Sequence, residues 1–338
     1  MSLPFVTVAI PAFNEERHIE ACLRCVLAQD FPADHMEILV ADGRSIDGTR
    51  DILTRLAAEE PRIRVIDNEQ RWQAAGMNRI LREARGDIIV RMDVRCEYAR
   101  DYVRACIEAL ERTGADSVGG AQRAKANSGF GRALCAALTS PLGVGGAKYR
   151  SAEAEGFVDT VFLGAFPRRV FERVGLYDPL AVTNEDAELN QRLIESGGRV
   201  YLSRDIEVYY FPRESFRAVA RQYYRYGRGR ARTLLKHRKF LTLRPAVPFL
   251  MLVVGGALLC TSWLQPFALP AYGLYAAVCA VEAVRVGHRL GAAAILITWA
   301  IFPVLHVSHG MGFAAGLVRY GLRPDWDAGE LLPPAPAR

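Results

Sequence analysis

The chain has 338 residues, enough for one large or two modest domains with real cores. A mean hydropathy of +0.05 beside 24% charged residues is too high for a wholly soluble enzyme, and the apolar excess lies almost entirely after Arg244. The formal charge of +6 is also unevenly spread, because Arg213 to Arg244 holds eleven Lys or Arg against the single acid Glu214, which points to a membrane surface and against nucleic acid as the partner.

In chain order, Phe5-Val-Thr-Val-Ala-Ile10 reads as a strand closed by Pro11. It lacks the charged region and apolar core of a signal peptide, so the front domain is expected to stay in the cytoplasm. Asn14-Glu15-Glu16 then opens an amphipathic helix to about Ala28. Strands follow at 36–41, 63–67, 87–92 and 116–120, separated by helices to about Ala58, over 73–84 and over 100–112. Strands alternating with helices predict a mainly parallel α/β sheet covered on both faces, with ligands outside the carboxyl ends of the strands.

Those ends carry Asn14 and Glu15, then Asp42, then Asp67 and Asn68, then Asp93 and Arg95. Each alone is an ordinary cap or turn residue, but four in succession mark a site. Phe130 to Leu138 has helical periodicity. Gly143-Val-Gly-Gly146 does not run from a strand into a helix as a phosphate loop must, so it reads as a mobile loop near substrate or membrane. Phe157 to Phe166 resumes strand character, and small Gly164 and Ala165 read equally as a packed strand end or as a place where a ligand can approach the backbone. Arg168-Arg169 begin the next helix. Asn184-Glu185-Asp186 opens another, and Gln222-Tyr-Tyr-Arg-Tyr226 lies in the basic run.

No charge occurs from Pro245 to Val281, a run long enough for two spans broken at Leu264-Gln265-Pro266; Gly291 to Val318 is a third uncharged run, interrupted by Pro303, with a re-entrant segment as its rival reading. The seven cysteines read as reduced thiols, and Cys22-x-x-Cys25, with no second pair, as helix packing. The division read from these features is a catalytic domain over 1–212, a basic membrane-interface segment over 213–244, a membrane region over 245–318 with helices near 245–264, 267–284 and 292–317, and a tail over 319–338.

Ile10-Pro-Ala-Phe-Asn-Glu15, Val40-Ala-Asp-Gly-Arg-Ser-Ile-Asp-Gly-Thr49 and Arg85-Gly-Asp-Ile-Ile-Val-Arg-Met-Asp93 resemble the successive signatures of family 2 glycosyltransferases with the GT-A fold, and Asn184-Glu185-Asp186 and Gln222-x-x-Arg225-Tyr226 are similar to its later motifs. The resemblance covers about residues 5–232 and looks closest to the succinoglycan-type exopolysaccharide enzymes. It implies a Rossmann-like sheet followed by membrane helices, in a multi-pass protein of the inner (plasma) membrane. It also implies a nucleotide diphosphate sugar as donor, a UDP-linked hexose such as UDP-glucose; the basic run and the spans motivate a lipid-linked saccharide as acceptor, at a surface of anionic lipids.

By position, the resemblance places Pro11, Asn14, Glu15 and Asp42 around the nucleotide, with Arg71, Gln73, Gly76 and Asn78 lining the same pocket. Gly164 and Ala165 fall near the acceptor. Asp93 stands at the first Asp of the family's Asp-x-Asp, which implies Mg²⁺ or Mn²⁺. The second Asp is Arg95 here, which cannot ligate a cation but can pair with phosphate oxygens. Inversion at the anomeric carbon calls for a base; Asp186 is the candidate, with Glu185 open, since helix neighbours point about 100° apart. Gln222, Arg225 and Tyr226 would meet the departing diphosphate, with Arg228 or Arg230 assisting. The rival readings are a processive polysaccharide synthase and a non-catalytic nucleotide-sugar-binding scaffold.

Overall fold

The computed structural model describes residues 3–239 and 242–326. The chain opens with β1 (Val6–Ala12), α1 (Ile19–Leu27), β2 (Met36–Asp42), α2 (Thr49–Glu59), β3 (Ile63–Asp67), α3 (Gln73–Glu83) and β4 (Ile88–Arg91). Next come β5 (Cys96–Tyr98), α4 (Tyr102–Thr113), β6 (Ser117–Gly120), β7 (Gln122–Ala124), α5 (Gly129–Thr139) and α6 (Pro141–Val144). After them run β8 (Gly156–Val158), β9 (Phe162–Pro167), α7 (Arg169–Val174), α8 (Glu185–Glu195), β10 (Val200–Leu202) and β11 (Val208–Tyr210). The helices α9 (Phe216–His237), α10 (Val247–Cys260), α11 (Ala268–Gly287) and α12 (Ala292–Leu322) follow.

Two compact units result, and they cut across the linear division expected from the sequence. One holds residues 3–123 and 151–210 with Trp326; the other holds 124–150 and 211–325. The segment 124–150, read as part of the catalytic domain, therefore belongs with the C-terminal helices. Most of the expected tail, from residue 327, lies outside the described residues.

The first unit is built on an eight-stranded sheet of order β3-β2-β1-β4-β9-β6-β10-β8, with a small sheet β5-β11-β7 beside it. The pairs β3–β2, β2–β1, β1–β4 and β6–β10 are parallel, while β9 runs antiparallel to β4 and β6. Every residue of β1 and β2 is buried, as a sheet covered on both faces requires. Cys22 is 2% exposed within α1, among Ile19, Leu23 and Val26. Its thiol, pushed well up by burial, packs and does not react.

The second unit is helical. Gly227 of α9 lies so close to α12 that an added Cβ would come within 2.0 Å of the His309 carbonyl oxygen, and one on Gly312 within 1.9 Å of that of Tyr224. Glycine here permits backbone-to-backbone packing of the Gln-x-x-Arg-Tyr helix on an apolar helix, the small-residue contact that holds helices together in lipid. Thr298 donates to the Ala133 carbonyl at 3.2 Å, and His306 Nε2 bonds the Leu142 carbonyl at 2.8 Å, tying α5 and α6 to α12.

Among the described residues, two segments are long and apolar enough to cross a membrane, Gln265–Leu290 and Ala292–Leu322, each with mean hydropathy 1.6. The third uncharged run is thus one continuous 31-residue helix through Pro303. The first is shorter than expected: α10 has 14 residues, about 21 Å at 1.5 Å per residue against a hydrocarbon core of about 30 Å.

Candidate active site

The strand register sets the frame. Ala12 pairs with Asp42 and Asp42 with Asp67, so the carboxyl ends of β1, β2 and β3 share one line. The loops leaving them are laced together. Asn14 adopts the left-handed conformation (φ 53°), its N–H donating to Ser45 Oγ at 2.8 Å and its Oδ1 accepting from the Ile46 N–H at 2.9 Å. The Glu15 N–H donates to Thr49 Oγ1 at 2.8 Å. This lacing delays α1 to Ile19, so Asn14 and Glu15 build the loop and do not open the helix.

Asp42 is fully buried and accepts from Ser45 Oγ at 2.6 Å and Arg50 Nε at 3.0 Å. Its carboxylate is satisfied within the protein and shapes the rim through Ser45 and Arg50. Arg50, with Arg44, also holds the Asp67 carboxyl below the usual range. Pro11 is buried inside β1. Glu15 accepts from Arg95 Nε at 2.8 Å through Oε1, whereas its Oε2 is buried with no hydrogen-bond partner. An orphaned carboxylate oxygen at a strand tip is a ready acceptor for a ligand hydroxyl or N–H.

The densest electrostatics surround a residue to which the sequence assigned no role. Arg91, the last residue of β4, is 2% exposed, and its guanidinium engages three carboxylates. Nε donates to Asp93 Oδ1 at 2.9 Å, Nη2 to Glu185 Oε1 at 3.0 Å, and Nη1 to Asp186 Oδ1. Burial works against the Arg91 charge, but Asp186, Asp93 and Glu185 outweigh it and hold the group firmly protonated. The signal for this was present: one arginine in the apolar run Ile88-Ile-Val-Arg91, on the same strand face as Ile89.

Glu185 and Asp186 open α8 behind Asn184, which has φ 62° and makes no side-chain cap bond. The acids are therefore placed by Arg91, and a capping role does not account for Asn184. The two differ in access, with side-chain exposures of 8% for Glu185 and 28% for Asp186. The Asp186 carboxyl is pushed up to about 7 by burial, with Glu185 and Asp93 adding to the rise and Arg91 opposing it. A partly open carboxylate near neutrality suits proton abstraction better than its buried neighbour.

Gln73, at the start of α3, donates to Asp93 Oδ2 at 2.8 Å, so the structure joins Gln73, Asp93, Arg91, Glu185 and Asp186, and links Arg95 to Glu15. Asn78 is elsewhere. It is 5% exposed and clamps the Tyr177 backbone, donating to its carbonyl at 2.7 Å and accepting from its N–H at 2.9 Å, a structural tie in place of the expected pocket contact. Gly164 and Ala165 are buried in β9 between β4 and β6. A Cβ on Gly164 would meet the Phe166 ring at 2.3 Å, so packing accounts for this glycine. Gln222, Arg225 and Tyr226 stand on α9 in the helical unit, where Gln222 Nε2 donates to Tyr226 Oη at 2.8 Å and Arg225 is exposed.

Among the described residues no three His, Cys, Asp or Glu side chains form a metal cage. Asp93, 24% exposed, still fits the mode in which Mg²⁺ or Mn²⁺ is held by one or two carboxylates plus substrate phosphates.

The glycosyl transferase family 2 model matches residues 7–175. The succinoglycan biosynthesis protein ExoA of Rhizobium meliloti (strain 1021) is 36% identical over 276 residues, covering 80% of this chain and 82% of the relative. The dolichyl N-acetyl-alpha-D-glucosaminyl phosphate 3-beta-D-2,3-diacetamido-2,3-dideoxy-beta-D-glucuronosyltransferase of Methanococcus voltae is 28% identical over 253 residues, covering 72% of this chain and 78% of the relative. Among solved structures, the mannosyltransferase PcManGT from Pyrobaculum calidifontis, in complex with GDP-Man and Mn²⁺, shares the fold with a TM-score of 0.58 at 21% identity, covering 95% of this chain and 87% of that one.

Proposed function

The chain belongs to glycosyl transferase family 2, and from that premise we propose that it transfers a hexose, with inversion, from a UDP-linked donor to a lipid-linked saccharide during exopolysaccharide assembly. The observation that carries this reading is the buried Arg91, which gathers Asp93, Glu185 and the partly open Asp186 at the tips of the strands. The lipid-linked acceptor is supported by the two apolar helices and by the dolichyl phosphate in the name of the Methanococcus relative.

In the proposed reaction Asp186 takes the proton of the acceptor hydroxyl as its oxygen bonds the anomeric carbon. The bond from that carbon to the phosphate oxygen breaks, and its electron pair leaves with the nucleoside diphosphate. Arg91 fixes the orientation of Asp186 and Glu185. Glu15 offers its unpaired oxygen to the nucleotide. Asp93 would hold Mg²⁺ or Mn²⁺ against the diphosphate, and the ion would neutralise charge there. Arg95 adds a fixed cation of its own. Gln222, Arg225 and Tyr226 are assigned the departing diphosphate on the resemblance of their motif.

The test is transfer by the purified protein in bilayer discs, with a panel of nucleotide sugars and a lipid-linked acceptor. Asp186→Asn and Arg225→Ala each lose transfer while keeping the melting midpoint of the parent. Wild-type turnover by either variant would remove that residue from the mechanism.

A further inference from the structure

A second concentration of positive charge lies wholly within the helical unit. Tyr149 and Arg150 end the loop that follows α6, and Arg150 Nε and Nη1 are buried without a hydrogen-bond partner. The Arg150 guanidinium carbon lies 5.3 Å from the centre of the Tyr149 ring. Arg244 reaches the same loop: its Cγ is 2.5 Å from where a Cβ on Gly145 would stand, and Gly145 and Gly146 have φ of +66° and +64°. Only glycine tolerates that conformation and that contact together. Arg230 of α9 acts on the Tyr149 hydroxyl along with Arg150 and Arg244, and together they hold it below the usual tyrosine range against the effect of burial.

Buried guanidinium nitrogens are rarely left unpaired, because desolvating them without a partner is costly. Three arginines and a tyrosine hydroxyl make a donor set suited to phosphate oxygens. The place of Arg244 in the chain points to the source. Arg244 immediately precedes the uncharged run from Pro245 to Val281, the kind of position at which basic residues meet anionic head groups.

We propose that Arg150, Arg230 and Arg244, gathered around Tyr149, bind the phosphate-bearing head group of a membrane lipid, namely the lipid that carries the acceptor saccharide. The choice of that lipid rests on the acceptor proposed above. The site then fixes how far the acceptor sugar stands from the bilayer.

The test uses the full chain in discs of neutral lipid and reads direct binding of an isoprenyl diphosphate, of phosphatidylglycerol and of UDP. Arg150→Gln is expected to weaken isoprenyl diphosphate binding about 10- to 100-fold, the loss of one or two charge-assisted hydrogen bonds, and to leave UDP binding unchanged. Arg150→Lys should lose less. A loss confined to the isoprenyl diphosphate assigns the acceptor lipid, and an equal loss for phosphatidylglycerol assigns a general lipid phosphate. Unchanged lipid binding, or a loss for UDP instead, overturns the proposal. If Arg150→Gln melts below its parent, Arg244→Gln carries the same comparison. Because binding is read without turnover, a wild-type protein that transfers no sugar would sink the enzymatic reading alone and leave this one standing.

Discussion

Replacing Arg91 with glutamine isolates what the buried guanidinium does. The side chain is 2% exposed and pairs with Asp93 at 2.9 Å, Glu185 at 3.0 Å and Asp186. Removing one partner of a buried ion pair strands the others and costs about 3–5 kcal/mol. At about 2–4 °C per kcal/mol, the usual scale for a domain of 150–250 residues, that is a fall in melting midpoint of about 6–20 °C. The loss must also depend on pH. Asp186 is already raised from 3.8 to about 7, so its favourable contribution is present below 3.8 and disappears as pH rises through 7. Without Arg91 the one opposing influence is gone and the carboxyl rises further. The gap between wild type and Arg91→Gln should therefore be smaller near pH 4, where Asp186 is protonated in both proteins, and wider above about pH 7, where the wild-type carboxyl ionises beside Arg91. Melting followed across pH 4 to 9 checks this. A gap that stays constant with pH, or one under about 1 kcal/mol, would mean that Arg91 merely fills space and does not compensate the acids.

If Asp186 is the base, as proposed, transfer should rise about tenfold per pH unit up to about 7 and then level off as its carboxyl ionises; initial rates between pH 5 and 9 show the limb or its absence. Asp186→Asn should lose at least about 100-fold in kcat with little change in donor affinity, read by separating KM from kcat. A chelator should abolish transfer and added Mg²⁺ or Mn²⁺ restore it, with Asp93→Asn raising the metal concentration needed at half rate. Gly312→Ala, whose Cβ would sit 1.9 Å from the Tyr224 carbonyl oxygen, should push α9 off α12 at a cost of about 1–3 kcal/mol, seen as a lower melting midpoint.

The alternating strands and helices of the first 120 residues were legible because a parallel sheet covered on both faces writes itself as short apolar runs between amphipathic ones; β3 was expected at 63–67 and found there. The acids at strand tips followed from the same pattern. Contacts made across the chain were not legible. Asn14 was read as a helix opener because its bond to Ile46, 32 residues on, has no local signature. Asn78 is placed in the pocket by the resemblance alone, and its clamp on Tyr177, across 99 positions, has no local signature. Arg91 lay hidden inside a motif, since two of its three partners, Glu185 and Asp186, lie 94 and 95 positions away. The assignment of 124–150 to the helical unit escaped for the same reason, as Thr298 and His306 reach back 164 or more positions to hold it.

Arg95 poses the remaining question, because it stands where the family's second metal-binding carboxylate would be. The structure gives it a partner, Glu15, whose other oxygen is buried and unpaired. A carboxylate at position 95 would face Glu15 as a like charge, and the pair would need a cation merely to coexist. With arginine there, Glu15 is neutralised before any donor arrives. An incoming diphosphate can then draw on Arg95 through the nitrogens that Glu15 leaves unused. On the proposed reading the demand on a metal falls accordingly, from two protein carboxylates to Asp93 alone. Reverting Arg95 to aspartate should therefore weaken donor binding at low metal and recover it as Mn²⁺ is raised, while Glu15→Gln together with Arg95→Asp should recover at a lower concentration, since the repulsion is gone. Donor affinity that ignores metal concentration in both variants would show that Arg95 takes no share of the diphosphate charge.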